Sequence, residues 1–108
     1  MSDRNRALVD RIRRKEFIAA PGVFELISAK IADTMGFDAL YMTGFGVVAS
    51  YLGLPDAGLA SYTEMVGAVE RIARQTTTPL ICDGDTGYGG LLNVEHTVRG
   101  YERAGARR

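Results

Sequence analysis

The stretch that decides the fold is TTTPLICDGDTGYGG (76–90), in which a β-rich run ends in a loop of glycines and acids. Residues 76–82 are mostly β-branched or apolar, which is typical of a strand. The loop after them carries four glycines within residues 84–90, and a helical pattern follows it. ALYMTGFG (39–46) repeats the arrangement, with an apolar run that stops at a glycine-containing turn. The sequence therefore predicts strands that alternate with helices.

The rest of the chain extends this alternation in both directions. Helices are indicated by apolar residues at three- and four-residue spacing, and strands by short apolar runs between turn residues. Ser61 and Glu64 have the spacing of a capping box, which places a helix start at Ser61. The predicted elements are a helix capped by Ser2 or Asp3 that runs to about Lys15, a strand at Phe17–Ala20, a helix carrying Phe24, Ile27, Ile31 and Met35 that ends at Gly36, a strand at Ala39–Thr43, one or two helical turns in Val47–Leu52, a helix from Ser61 to about Arg74, a strand at Thr76–Cys82, and a helix capped by Asn93 that stops at Gly105.

One helix followed by three strand–helix units predicts an α/β fold with parallel strands joined by crossovers. Three such units leave two unpaired strand edges, which is a poor stopping point for a parallel sheet. The chain therefore looks cut off, and a fourth strand is expected directly after residues 104–106. We expect the apolar faces of Leu40, Met42, Leu80 and Ile81 to be partly uncovered, so that the isolated chain self-associates or lacks fixed packing.

The charge balance and the cysteine count exclude several classes of protein. Thirteen Lys and Arg residues balance 13 Asp and Glu residues, so the chain has no net charge and is not expected to bind nucleic acid. No apolar run reaches the roughly 18 residues of a membrane span, and the polar start is unlike a secretory signal. The single cysteine, Cys82, excludes an internal disulfide. These features predict a cytoplasmic protein and one domain, or part of one, over residues 1–108.

Two loops at strand ends contain the residues best suited to chemistry. The carboxyl ends of parallel strands lie on one side of a sheet, so the turn Thr43–Gly44–Phe45 should meet the loop that holds Asp83 and Asp85. Asp56 follows the same strand as the turn and can reach this side. Two acids one residue apart can either accept backbone N–H bonds in a turn or hold Mg²⁺, which prefers hard oxygen ligands. Backbone N–H groups of the turn can bind a carboxylate or a developing oxyanion, and Tyr41 beside them is either a core residue or a general acid or base.

Other sites suggested by single motifs are less favoured. Gly-x-Gly-x-x-Ala at 44–49 matches a dinucleotide-binding fingerprint, but residues 53–55 break the helix that this motif requires. Cys82 lies within a strand, as a small buried apolar residue would. The one histidine, His96, is expected on an exposed helix face and cannot form a histidine metal cluster, and no spacing indicates a Ser-His-Asp triad.

Three ordered segments resemble the isocitrate lyase/phosphoenolpyruvate mutase superfamily: APGVFELISAKIAD (20–33), YMTGFGVVASYLGLPDAG (41–58) and DGDTGYGGLLNVEHTV (83–98). The resemblance covers nearly the whole chain beyond Lys15. It implies a TIM barrel with Mg²⁺, or alternatively Mn²⁺, at its C-terminal mouth, acting on small α-keto or α-hydroxy acids. A complete (β/α)8 barrel needs about 250 residues. The chain would therefore form a partial TIM (β/α)8 barrel, the N-terminal helix plus the first three β/α units.

The resemblance also implies partners and residue roles. It implies a small carboxylic acid substrate, a homo-oligomer that is a tetramer in the full-length family, and no nucleic-acid or membrane partner. The implied roles are catalysis for Tyr41, substrate binding for Thr43, Gly44, Phe45 and Asp83, and metal binding for Asp56, Asp83 and Asp85.

The motifs are most similar to one branch of the superfamily. LPDAG (54–58) favours the C–C lyases and decarboxylases over the phosphonate mutases, and the glycines before LLNV (91–94) favour enzymes that act on methylisocitrate, substituted malates or oxaloacetate. The implied reaction removes the hydroxyl proton of a malate-type acid and breaks a C–C bond in a retro-aldol step. The enolate is stabilised by the metal and by N–H groups of the turn.

Two alternatives to this reaction stay open: the P–C bond chemistry of phosphonopyruvate enzymes and carboxyvinyl-carboxyphosphonate phosphorylmutase, and a non-catalytic fragment. The chain lacks the superfamily's acidic fourth strand and its KKCGH-type loop, whose catalytic cysteine Cys82 does not match. The 108-residue chain by itself is therefore expected to be inactive.

Overall fold

The computed structural model describes residues 3–106, so the Ser2 alternative for the first helix cap lies outside the described residues. Helices and strands alternate as predicted. Within residues 3–106, no helix combines the length and the apolar character needed to cross a membrane. The elements are α1 (Asp3–Arg13), β1 (Gly22–Val23), α2 (Leu26–Asp33), β2 (Leu40–Met42), α3 (Gly44–Val47), a π-helix (Val48–Leu52), α4 (Tyr62–Gln75), β3 (Leu80–Cys82) and α5 (Leu91–Ala104).

Three parallel strands form one sheet in the order β1-β2-β3. Gly22 of β1 pairs with Tyr41 of β2, and Tyr41 pairs in turn with Ile81 of β3. All three strands therefore end on the same side of the sheet, which is where parallel α/β folds place their functional loops. The parallel order confirms the predicted α/β class.

The helices cover one face of this sheet. Leu40, Met42 and Leu80 point to that face and are at most 2% exposed. The prediction that these three side chains are partly uncovered is wrong, because they belong to one core cluster with the buried apolar residues of α4. Tyr41 lies on the opposite face and is 36% exposed, and Ile81 beside it is half-buried. Tyr41 and Ile81 therefore belong to the open face of the sheet, which the helices do not cover.

The ends of α4 and α5 follow short-range signals. Ser61 Oγ accepts the N–H of Glu64 at 3.2 Å, and the Glu64 carboxylate accepts the N–H of Ser61 at 2.9 Å, which confirms the capping box. Gly105 ends α5 with a φ of 109°, in the left-handed region that glycine favours. α5 starts two residues before the predicted cap, because the Asn93 side chain accepts the N–H of Gly90 at 3.2 Å from the third position of the helix.

The first strand lies further along the chain than predicted. Residues 17–20 form no strand in the described part of the chain, and Phe17 is exposed. The pairing with β2 begins instead at Pro21, whose carbonyl accepts the N–H of Tyr41 at 2.9 Å. Four consecutive apolar residues do not reveal which segment has a neighbouring strand, so the prediction of a strand at Phe17–Ala20 is wrong.

α2 packs through its small residues rather than through its large ones. Ala29 and Ala32 are buried, whereas Ile27, Ile31 and Met35 are 74%, 59% and 63% exposed. Small side chains let a helix approach a sheet closely, and apolar spacing alone does not show which helix face meets the sheet. The large residues therefore form an exposed apolar stripe on α2 and the turn directly after it, which we call the α2 stripe (Ile27, Ile31 and Met35).

We expect the isolated 108-residue chain to self-associate. The outer edges of β1 and β3 and the α2 stripe all offer surface that associates in water. Sedimentation velocity should give a mass well above the 11.7 kDa of one chain. An Ile27→Ser/Ile31→Ser double variant should associate less. A sharp monomer that unfolds cooperatively would contradict this expectation.

Candidate functional site

One carboxylate joins the two strand-end loops. Asp83 follows β3 directly, and its Oδ2 accepts the N–H of Gly44 at 3.2 Å across the ends of β2 and β3. Its Oδ1 accepts the N–H of Asp85 at 2.9 Å, which closes the acidic loop on itself. The two loops therefore meet as the parallel strands predict, and Asp83 is held in place at both oxygens.

Gly44 allows this contact because it has no side chain. A Cβ at this position would lie 2.6 Å from Asp83 Oδ2 and 3.0 Å from Asp83 Cγ. These distances are shorter than ordinary van der Waals contacts, so the carboxylate occupies the space that a side chain would need. The N–H of Gly44 points to Asp83 in this structure, whereas the sequence predicts that it is offered to a substrate carboxylate.

The three predicted acidic ligands influence one another electrostatically. Burial, followed by the charges of Asp83 and Asp56, raises the pKa of the Asp85 carboxyl above its ordinary value. Asp56 therefore contributes to the electrostatic environment of Asp85. In the described range 3–106, no three His, Cys, Asp or Glu side chains lie close enough to hold a metal ion by themselves.

Tyr41 and Cys82 differ in exposure although both precede the loops. Burial raises the pKa of the Tyr41 phenol, and the nearby charges of Asp83 and Asp85 raise it further. The phenol therefore keeps its proton at neutral pH, on the open face of the sheet and near the acids. Burial also raises the pKa of the Cys82 thiol to about 12, so this thiol is not a nucleophile at neutral pH.

Thr43 and Phe45 lie at the start of the short helix α3. Thr43 Oγ1 accepts the N–H of Gly46 at 3.3 Å, and the Thr43 carbonyl accepts the N–H of Val47 at 3.0 Å. Phe45 is the second residue of α3, a position whose N–H has no acceptor within a helix. The N–H of Thr43 is taken by the Val23 carbonyl at 3.1 Å and that of Gly44 by Asp83, so Phe45 carries the remaining backbone donor of the turn.

Sequence reasoning missed the residues that hold the acidic loop from behind. Thr97 and Tyr101 of α5 donate hydrogen bonds to the loop, and Tyr88 within the loop contacts Tyr101. The sequence places Tyr101 only on an apolar helix face. The four-residue spacing of Thr97 and Tyr101 is a usable signal, because it puts two hydroxyl groups on one side of a helix.

A cavity of about 390 Å³ opens between the acidic loop and α5. Cys82, Val94 and Tyr101 are among its lining residues. It lies next to β3, at the end of the sheet where a fourth strand is predicted. We therefore do not assign this cavity to a substrate.

Parallel strands whose carboxyl ends carry acids and a glycine turn define an α/β enzyme domain with its site at those ends. The family model described as phosphoenolpyruvate phosphomutase matches residues 9–107. This chain belongs to that family, and the resemblance to the isocitrate lyase/phosphoenolpyruvate mutase superfamily is confirmed.

Curated relatives with lyase or decarboxylase names are similar over most of this chain. The 2,3-dimethylmalate lyase of Eubacterium barkeri is 48% identical over 91 residues, which cover 84% of this chain and 32% of that protein. The 2-methylisocitrate lyase of Aeropyrum pernix is 42% identical over 99 residues, 92% of this chain and 32% of that protein. The oxaloacetate decarboxylase of Paraburkholderia xenovorans is 36% identical over 101 residues, 94% of this chain and 34% of that protein. The chain thus spans about a third of the length of these relatives.

Solved structures support the same fold. A crystal structure of 2,3-dimethylmalate lyase, a member of the superfamily, matches with a TM-score of 0.89 and 40% identity over 97% of this chain and 38% of that one. Phosphonopyruvate hydrolase in complex with oxalate and Mg²⁺ matches with a TM-score of 0.89 and 34% identity over 97% of this chain and 37% of that one. The α/β fold with its parallel sheet is therefore similar to the TIM-barrel structures of the superfamily.

Proposed function

We propose that this chain is the N-terminal part of a (β/α)8-barrel enzyme, a Mg²⁺-dependent lyase or decarboxylase that acts on a C–C bond of a small α-hydroxy or α-keto dicarboxylic acid. The observation that carries the proposal is the Asp83 carboxylate, which joins both strand-end loops through the N–H groups of Gly44 and Asp85. The names of the relatives support the substrate class, because 2,3-dimethylmalate, 2-methylisocitrate and oxaloacetate are all small carboxylic acids.

The acids at the strand ends fit a divalent metal. The raised pKa of Asp85 reflects burial first and then repulsion from Asp83 and Asp56, and a bound cation relieves such repulsion. Mg²⁺ needs only one or two carboxylates and completes its shell with water and substrate oxygens, so a cluster of three protein ligands is not required. We propose that Asp85 and Asp83 hold Mg²⁺, with Asp56 nearby. When bound, the metal supplies positive charge that stabilises the negative charge developing on substrate oxygens.

The residues of the turn and of β2 serve the substrate in this proposal. A substrate carboxylate is oriented at Thr43–Gly44–Phe45, where the N–H of Phe45 is the backbone donor not already used by Val23 or Asp83. Tyr41 keeps its proton because burial and the neighbouring acids raise its pKa, so it donates a hydrogen bond or a proton to a substrate oxygen. The base that removes the hydroxyl proton is not assigned to any residue of this chain.

The test is turnover by the full-length protein. We expect Mg²⁺-dependent cleavage or decarboxylation of at least one of 2,3-dimethylmalate, 2-methylisocitrate and oxaloacetate. Excess chelator should abolish it, and added Mg²⁺ or Mn²⁺ should restore it. The 108-residue chain serves as the control and should be inactive, because it lacks the KKCGH-type loop. Full turnover in excess chelator, or no turnover of any of the three acids, would contradict the proposal.

A second candidate is P–C bond chemistry, favoured by the 34% identity to phosphonopyruvate hydrolase. Phosphonopyruvate in the same assay separates the two, since phosphate release without turnover of the three acids supports the second candidate. A protein inactive on all four compounds supports the non-catalytic alternative.

Further properties of the full-length protein belong to the same proposal. We propose a cytoplasmic homo-oligomer, a tetramer, without nucleic-acid or membrane partners. The exposed α2 stripe supports the oligomer, because such an apolar surface favours association. The balanced charge supports the absence of a nucleic-acid partner.

A further inference from the structure

Helix α5 holds the acidic loop (residues 83–90) at its start and near its middle. The hydroxyl of Tyr101 donates to the carbonyl of Asp83 at 3.1 Å, at the point where β3 becomes the loop. The hydroxyl of Thr97 donates to the carbonyl of Gly87 at 2.8 Å, four residues further on. Both side chains are buried, with 7% and 4% exposure. Buried hydroxyl groups that bond loop carbonyls fix the loop more firmly than exposed ones. If such a bond breaks, water does not reach the carbonyl to replace the hydroxyl group.

The hydroxyl hydrogen bonds have a defined direction. A carbonyl only accepts, so Tyr101 must use its one proton on Asp83. In the 3.0 Å contact between the two phenols, Tyr88 is therefore the donor and Tyr101 the acceptor. The chain of donors runs from Tyr88 through Tyr101 to Asp83, and Tyr101 is its central member.

The loop has a backbone shape that requires support. Asp85 and Tyr88 have φ values of 45° and 62°, in the left-handed region that non-glycine residues seldom occupy. Gly87 has a φ of 91°, and a Cβ there would lie 2.5 Å from Val94 Cγ2 of α5. The loop therefore packs directly on the helix, and the positions of Asp83 and Asp85 depend on this backbone shape.

We propose that Tyr101 and Thr97 are positioning residues that fix the acidic loop, and with it Asp83 and Asp85, in the shape that binds a divalent cation. The metal part of this inference rests on the proposed function.

The first test measures the loop without metal. In Tyr101→Phe of the full-length protein the ring is kept and two hydrogen bonds are lost, so amide hydrogen exchange of residues 83–90 should accelerate about tenfold while exchange in α4 stays unchanged. Tyr88→Phe keeps the bond from Tyr101 to Asp83 and should show a smaller increase. Tyr51→Phe, the same change at an exposed position, is the control and should show none. Loop exchange in Tyr101→Phe that equals the wild type overturns the proposal.

The second test measures Mg²⁺ affinity by calorimetry in the full-length protein. Loss of a group that orients metal ligands typically lowers affinity 10- to 100-fold, and we expect a loss in that range for Tyr101→Phe. Saturating Mg²⁺ should restore kcat, because the reacting groups are intact. Wild-type affinity in this variant overturns the positioning role.

Thr97 provides an independent variant should Tyr101→Phe fold poorly. Thr97→Val removes the bond to Gly87 and should accelerate loop exchange, whereas Thr97→Ser keeps the hydroxyl and should restore it. Equal exchange in Thr97→Val and the wild type overturns the role of Thr97. A wild-type protein that binds no Mg²⁺ refutes the proposed function, whereas accelerated loop exchange in Tyr101→Phe still supports the positioning of the loop.

Discussion

Replacement of Asp85 by alanine is expected to lower the turnover of the full-length protein by roughly a factor of 10³ or more, because several kcal/mol of transition-state stabilisation depend on the bound metal. Partial burial and the charges of Asp83 and Asp56 raise the pKa of Asp85, and a bound cation relieves the repulsion between these carboxylates. Helical circular dichroism should stay close to that of the wild type, since the side chain of Asp85 is at the surface.

Asp85→Asn is the matched variant for this experiment. Asparagine tolerates the left-handed φ of 45° as well as aspartate does, so the loop keeps its shape and only the charge is removed. We expect Asp85→Asn to lose activity and Mg²⁺ binding together, while Asp10→Asn on the exposed side of α1 changes neither. If Asp85→Asn turned over normally, a metal-binding role for Asp85 would be refuted.

Gly44→Val is expected to reduce kcat/KM of the full-length protein by about 10²-fold or more, because misplacing a site group by about 1 Å has effects of that size. The first atom of the new side chain would lie 2.6 Å from Asp83 Oδ2, so the carboxylate must move and lose its bond to the Gly44 N–H. The free energy of unfolding should fall only modestly, since the clash is with a side chain that can rotate towards solvent.

Gly67→Ala is the control for the glycine substitution. It lies within α4, where the nearest atom to a new Cβ is the mobile end of Arg71 at 3.2 Å, and alanine favours the helix. Steady-state kinetics of both variants and urea unfolding separate an effect on the site from an effect on the fold. Normal kinetics in Gly44→Val would show that the turn has no part in catalysis.

The features that the sequence predicts correctly depend on short-range chemistry. The capping box of Ser61 and Glu64, the stop at Gly105 and the strand ends before Gly44 and Asp83 each involve residues close in sequence. The meeting of the two loops was predictable as well, because parallel strands leave no other place for their carboxyl ends.

The features that the sequence does not predict depend on partners far along the chain. Nothing local distinguishes the exposed Ile27 and Ile31 from core residues, since only the position of the sheet decides which face of α2 is covered. Residues 17–20 read as a strand, but the strand forms where β2 offers a partner. The link from Tyr101 to Asp83 spans 18 residues and depends on how α5 packs, which apolar spacing does not reveal.

The pairing of Leu40 with Leu80 and of Met42 with Cys82 has a further consequence for anyone who prepares this protein. Side chains alternate between the two faces of a strand. A slip of β2 by one residue in the pairing register would therefore turn Tyr41 towards the helices and expose Leu40 and Met42. The same slip would separate Gly44 from Asp83. Molecules with the slipped register should therefore have no activity. The specific activity of a preparation should be proportional to the fraction of its molecules that is correctly folded.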